Sequence, residues 1–285
     1  MLSLVGSAMT KAVNTPIAYE ERLCLFLDIL GFKAKIDESV KDPTKTLKST
    51  ERLMTAQRIH GALRAISSAM NPSISGFSHE LTSSKQVSQF SDSIVVSYSL
   101  AERGAVFGML YDIYLLQIQL VQRGFLVRGA ITVGKLFHDE HIVFGPALVE
   151  AAELERLAMY PRVILGQEIL QLGSVDMHGD PDGTVATLVK KDLDGMYYID
   201  YFGVSAGEFD SEWDDHCQYF AELREVIKSM SYLTRNLSVK LKHSWMRQKF
   251  NDVAGPMEKS KFTTFNGSHI PEETQDAYIS AGPFK

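Results

Sequence analysis

The chain has 285 residues, 45% of them hydrophobic, with a formal charge of -6 and a pI near 5.8. That is apolar material for one large domain or a medium domain with appendages, and the acidic balance argues against a protein that coats nucleic acid or an anionic membrane. Cys24 and Cys217 have no CxxC spacing, which argues against a disulfide framework or a cysteine zinc site and fits a reducing compartment.

The N-terminal stretch lacks a basic start followed by a long apolar core, so no signal peptide is expected. No apolar run approaches the roughly 20 residues of a membrane helix. The expectation is a cytoplasmic protein without stable membrane insertion and without a nucleic-acid partner.

In chain order, "RLCLFLD" (22–28) reads as a short buried strand, and "GFKAKIDESV" starts a helix. A longer helix is predicted within 46–70, where Leu47, Leu53, Met54, Ile59, Leu63, Ile66 and Met70 recur near helical spacing. "MNPSISGFSHELTSS" carries loop residues. "KQVSQFSDSIVVSYS" (85–99) predicts two strands around a tight turn at Ser91-Asp92. A strong helix follows and stops at Gly124. "FLVRGAITVG" and "KLFHDEHIVF" are two more strands, "GPALVEAAELERLAMY" is a helix with Pro146 near its start, and "RVILG" is a short strand. "TVATLVKK" and "GMYYIDYF" predict a late hairpin. Residues 211–252 read as a helical extension, broken near Asn236, and 253–285 as a loop-like tail punctuated by Gly and Pro. Helices alternating with antiparallel strands predict an α+β fold, a ferredoxin-like split-βαβ sandwich.

Two motifs mislead. "GAITVGK" matches most of a phosphate-binding loop, but Leu136 stands where Ser or Thr should follow and the segment alternates like a strand. "HDEH" (138–141) offers contiguous metal-ligand types, yet reads as a solvated hairpin tip.

In a split-βαβ sheet the end of the first strand lies beside the start of the third, which places Asp28 next to Asp92. Converging carboxylates suit hard divalent cations that share oxygen ligands with substrate phosphates. Singly, Asp28 also reads as a helix cap and Asp92 as a turn residue.

The combination resembles the class III nucleotidyl cyclase catalytic domain. "LFLDILGFK" resembles its first metal-binding loop and "QFSDSIVV" its second metal hairpin. "RGAITVG" and "FGPALVEAAELE" resemble its later strand and its dimer-interface helix. The likeness covers about residues 20–203. It implies that Asp28 and Asp92 hold two Mn2+ or Mg2+ ions with the Ile29 carbonyl as a further ligand. It also implies that the backbone of Ile29, Leu30, Gly31 and Phe32 cradles the triphosphate, and that the enzyme is a homodimer. Lys33 reads equally as a triphosphate contact or a solvated lysine.

The chain departs from the family where purines are read. Ser88 stands in place of a base-reading Lys or Glu, and Ile142, by counting, in place of its Asp or Cys partner. Val149 and Glu153 replace the Asn and Arg that act on the transition state. Arg128 and Arg162, with Arg156, are candidate replacement cations. Lys190, with Lys191, could reach the triphosphate from the late hairpin. Phe26 has two readings, a base contact or a core position. "LDILGFK", "YPRVIL" and "YYIDYF" look like the pyrimidine cyclases of two-gene, Pycsar-type bacterial anti-phage systems. That branch implies conversion of UTP or CTP to a 3′,5′-cyclic nucleotide that activates a separate effector. The alternatives are a catalytically silent nucleotide sensor and a purine (ATP) cyclase.

Overall fold

The chain's fold was obtained as a computed structural model, which describes residues 17–40, 49–69, 84–175, 184–231 and 236–285. Strand β1 (Glu20–Ile29) sets the geometry. Its residues alternate between faces, as the pleat requires. Leu23, Leu25, Leu27 and Ile29 enter a large core, while Cys24 lies in a small second core against which Phe26 packs. Asp28 continues the second set.

Helices α1 (Phe32–Val40) and α2 (Ser49–Ala69) lead to the hairpin β2 (Gln86–Phe90) and β3 (Ser93–Ser99). Helix α3 (Ala105–Gln122) precedes β4 (Val127–His138), β5 (Val143–Phe144) and α4 (Pro146–Leu157). Then come β6 (Val163–Leu165), α5 (Gln167–Val175), α6 (Thr184–Leu188), β7 (Val189–Lys191) and β8 (Tyr197–Ile199). The strand order β2-β3-β1-β4-β6-β8-β7 contains the split-βαβ arrangement, with β1 antiparallel to both β3 and β4 and β6 parallel to β4. The fold class is α+β, as expected.

One face of the sheet carries α3 and its neighbours over the large core. Ala147 and Ala151 of α4 join Cys24, Val95 and Leu136 on the other face. Gly145 caps α4 with φ 148°, and a Cβ there would meet the Lys135 carbonyl oxygen at 2.6 Å, so the helix can seat this closely on β4 only with glycine.

The predicted helix in 46–70 is α2, with Ile59 and Ile66 buried and Leu63 packed against the core. The stretch "MNPSISGFSHELTS" (70–83) lies outside the described residues. Helix α3 is long and apolar enough by composition to cross a membrane, but it is mostly buried inside this fold, as a core helix is.

Two expectations need correction. "TVATLVKK" is not a strand throughout: 184–188 form α6, and only 189–191 pair with β8. Nor is 253–285 a loop-like tail. Helix α7 (Glu212–Ser231) is followed by α8 (Leu237–Lys259), which Asn236 caps by accepting the Ser238 N–H at 2.9 Å. Helix α8 runs through Pro256, then a two-strand hairpin of β9 (Thr264–Phe265) and β10 (Ser268–His269) leads to α9 (Glu272–Ser280). Gly and Pro suggested a loop, but Phe262, Phe265, Ile270 and Tyr278 are buried in the main core. Their burial outweighs local propensity.

Candidate active site

The end of β1 is held from both sides. Asp28 faces Ser93 across β3 and Arg128 across β4. The Ile29 N–H donates to the Asp92 carbonyl at 3.0 Å, and the Leu30 N–H to that of Leu126 at 2.8 Å. Asp92 sits in the two-residue β2–β3 turn, beside Ser91 at φ 60°. The sheet therefore brings Asp28 and Asp92 together, with Asp28 on the α4 face because the pleat puts every second residue of β1 there.

Asp28 is partly buried and its carboxyl is pushed up to about 6, by burial first and then by the charges of Asp92 and Glu155. Arg128 and Lys242 pull the other way. Three carboxylates and two cations thus share one corner of the sheet. Arg128 Nε pairs with Glu155 Oε1, and the Glu155 side chain is almost fully buried. Like charges this close favour a proton on one carboxyl until a cation arrives.

The expected phosphate cradle narrows. The N–H groups of Ile29 and Leu30 are already spent on Asp92 and Leu126, so they cannot hold phosphate. What remains is the turn into α1, where the N–H groups of Gly31, Phe32 and Lys33 have no intrahelical acceptor. Gly31 takes φ 72°, and nothing lies within 4 Å of a Cβ built there, so backbone at this point is open to a ligand. The Phe32 side chain is buried in the core. Lys33 is exposed on the first turn of α1.

Two residues back along β1, Phe26 lines a cleft of about 440 Å³ between the sheet and α4. Its other walls include Val95, Leu148 and Val149, with Glu153 and Arg156 on the helix side. Val149 and Glu153 therefore face the cleft, and Arg156 lies on the same stripe of α4.

Other residues singled out in the sequence stand elsewhere by geometry. Arg162 is 0% exposed, its guanidinium is paired with Asp192 and Asp194, and it lies over the rings of Tyr160 and Trp245. Its role as a catalytic cation is corrected: it ties α8 to the sheet. Lys190 pairs with Asp200 at 2.5 Å on β7, four strands from β1, which is about 19 Å at the usual strand spacing. Within one chain it does not meet Asp28. Ser88 is only 9% exposed, and its Oγ lies 3.0 Å from His138 Nε2. His138 Nδ1 lies 2.8 Å from Ser97 Oγ, which accepts from Arg22 Nε at 2.9 Å. His138 is therefore not a solvated hairpin residue. Burial, with Arg22 nearby, lowers its pKa to about 4.

Sequence reasoning missed Glu155 and Lys242. The first had a signal: Ala147, Ala151 and Glu155 recur at helical spacing on the buried face of α4. The second had none in its own segment, because α8 reaches β1 only through the tertiary fold.

The residues present fit a hard divalent cation. Asp28 and Asp92 are oxygen donors at adjoining strand ends, and the raised Asp28 carboxyl is what a dication would relieve. Among the described residues no group of three or more His, Cys, Asp or Glu side chains is arranged to hold a metal alone. Phosphate oxygens and water would complete the shell.

No protein-family profile matches the chain, and no curated protein sequence matches it. Among solved structures it is similar to the adenylyl cyclase CyaB from P. aeruginosa, at 13% identity and a TM-score of 0.37, with 64% of this chain and 94% of that chain covered. That likeness is loose. The topology itself defines the class: an α+β sandwich on a split-βαβ core, with a carboxylate pair at the ends of its central strands.

Proposed function

We propose that this protein is a nucleotidyl cyclase that converts a pyrimidine nucleoside triphosphate, UTP before CTP, to a 3′,5′-cyclic nucleotide and pyrophosphate. The observation that carries the proposal is the convergence of Asp28 and Asp92 beside the open N–H groups of Gly31 to Lys33, two residues from an apolar cleft. Asp28, Asp92 and the Ile29 carbonyl would hold Mn2+ or Mg2+, two per site, which when bound lower the pKa of a hydroxyl and neutralise phosphate charge.

The chain's own groups do the rest. The first turn of α1 holds the phosphates by its N–H groups. The cleft beside Phe26 takes the base and keeps the sugar against the end of β1. The 3′ oxygen then forms a bond to the α-phosphorus as the bond to the bridging oxygen breaks, pyrophosphate departs, and the 3′ proton passes to solvent. Positioning and fixed charge supply the acceleration.

Resemblance to the pyrimidine branch supports UTP or CTP, and so does Ser88, whose short side chain is turned to His138. In that reading the product acts on a cyclic-nucleotide-gated effector in anti-phage defence in the cytoplasm. A homodimer is supported by exposed Phe90 and Val149 on the cleft wall and by exposed Ile142 and Phe144 on either side of the wall residue Val143.

The test is to incubate the purified protein with Mn2+ and each of ATP, GTP, CTP and UTP, and to identify products by mass spectrometry. A cyclic pyrimidine nucleotide is expected, with a loss of at least about 10²-fold in Asp28→Ala and Asp92→Ala. A second reading is favoured by Glu153, an acid on the cleft wall at the position where the cyclases this sequence resembles carry a transition-state cation. It is a nucleotide sensor that returns its triphosphate intact, and the same incubation distinguishes the two. ATP turnover above that of UTP and CTP would mark a purine cyclase.

A further inference from the structure

Asp28 feels two cations, and they are bound differently. Arg128 stands beside Asp28 in register, but its Nε is committed to Glu155. Lys242 comes from α8, in the segment beyond the split-βαβ sheet. It is half-buried, and among the described residues no hydrogen bond or ion pair holds its ammonium.

Its position is not accidental to the fold. The buried face of α8 includes Trp245, Met246 and Phe250. Lys242 precedes Trp245 by three residues and Met246 by four, so it extends this face toward the start of the helix. Trp245 is fixed firmly. It stacks on Tyr160 with centroids 5.2 Å apart and planes at 5°, and its Nε1 donates to Asp192 Oδ2 at 2.7 Å. Lys249, one turn further, pairs with Asp192 Oδ1 at 2.8 Å. Tyr160 lies in the turn that follows α4, whose last turn carries Glu155. The knot of Tyr160, Trp245, Lys249, Asp192 and Arg162 therefore pins α8, and Lys242, one turn before Trp245, lies within charge range of Asp28, Arg128 and Glu155.

The surroundings do not complete this ammonium by themselves. Burial and the like charge of Arg128 disfavour it, and Glu155 and Asp28 offset them in part. Glu155 is shared with Arg128. A lysine kept in such a place without a close partner suits an incoming polyanion. Helix α4 offers no equivalent at this corner: Glu153 is an acid, and Arg156 lines the cleft.

We propose that Lys242 is a catalytic residue that contacts the triphosphate of the substrate, so that the C-terminal helices complete the active site. Its ammonium binds the β- and γ-phosphates and neutralises the charge that grows on pyrophosphate as the bond to the α-phosphorus breaks. This rests on the cyclase reading above.

The test uses the full chain and three variants, Lys242→Met, Lys242→Arg and, as a control, Lys240→Met, an exposed position in the first turn of α8. Thermal melting establishes that each is folded. In the Mn2+ assay Lys242→Met should lose about 10²-fold in kcat, Lys242→Arg should recover a substantial part, and Lys240→Met should match the wild type. Calorimetric titration with inorganic triphosphate and Mn2+ gives a second readout, where Lys242→Met should bind about 10-fold more weakly. If the wild type turns over a pyrimidine triphosphate and Lys242→Met stays within twofold in both measurements, the assignment of Lys242 is wrong and the cyclase reading stands. If the wild type makes no cyclic product, the cyclase reading is wrong. Binding of inorganic triphosphate then decides whether Lys242 is a polyphosphate contact. Should Lys242→Met fail to melt cooperatively, Lys242→Arg and a Lys242→Gln variant carry the same comparison.

Discussion

Asp28 is costly for the empty protein and useful for the loaded one. Its carboxyl is partly buried and faces Asp92 and Glu155, which together raise its pKa to about 6. A raised carboxyl destabilises the fold where it is ionised in both states. The cost is absent below the unfolded value near 3.8 and fully present above about pH 6. Asp28→Asn should therefore stabilise the metal-free protein at pH 8, by about 1 kcal/mol, and the difference should shrink toward pH 4. The same variant should lose the rise in melting temperature that Mn2+ gives the wild type. Thermal melts with and without Mn2+ at the two pH values check this. A lower melting temperature of the Asn variant at pH 8 would show that Arg128 and Lys242 outweigh the acids.

Elements are joined here by buried histidines. His216 of α7 is enclosed by Phe209, Phe220, Phe265 and Tyr278. Its Nε2–H donates to the Val204 carbonyl at 2.9 Å, so Nδ1 accepts from the Tyr278 hydroxyl of α9. Burial lowers its pKa to about 4, and His138 at the end of β4 is lowered to the same region by burial and Arg22. A lowered histidine binds its proton in the unfolded chain first, so stability falls as pH drops from about 6.5 to about 4. Asp28 has the opposite sign over part of that window and offsets one of the two. Urea midpoints should thus decrease on going from pH 7 to pH 5. His216→Gln, which titrates nothing, should show a shallower decrease than wild type. An equal or steeper decrease would mean that His216 is protonated in the native state.

At the scale of the molecule, the C-terminal helices are part of one body with the sheet. Tyr219, Phe220, Leu223, Trp245 and Phe250 share the core of β1 and α3. The Tyr219 hydroxyl bonds the Tyr201 carbonyl at 2.5 Å, and the Tyr201 hydroxyl bonds that of Pro161 at 2.7 Å. Each of the four large buried aromatics contributes about 2 to 3 kcal/mol, in sum about as much as a domain's whole usual margin. A chain truncated after residue 210 should therefore lose cooperative unfolding and solubility, not merely activity. Size-exclusion chromatography and thermal melting check this, and a soluble, cooperatively folding fragment would show that residues 20–203 are an independent domain.

Much of this architecture was legible in the residues. The apolar run in "RLCLFLD", the turn at Ser91-Asp92 and the Gly124 and Pro146 signals at the ends of α3 and α4 each write a local geometry into a short stretch, because strand, turn and cap preferences act over a few residues. The order of elements then placed Asp28 beside Asp92. Local cues failed at 184–188, which form α6 although only Leu188 of its described side chains is buried, at Gly255-Pro256, where buried Ala254 and Met257 hold the helix, and where a residue's partner lay far away. Arg162 and Lys190 looked like free cations until Asp192, Asp194 and Asp200 were found beside them. The phosphate cradle shrank to Gly31 through Lys33 because Leu126 and Asp92 take the other N–H groups. Short-range pattern along the chain was thus enough for the split-βαβ order and the carboxylate pair. Only the fold decided which charges surround that pair: Arg128, one of several cations the sequence offered, is joined there by Glu155 and Lys242, from distant segments that meet by packing and not by any repeat along the chain.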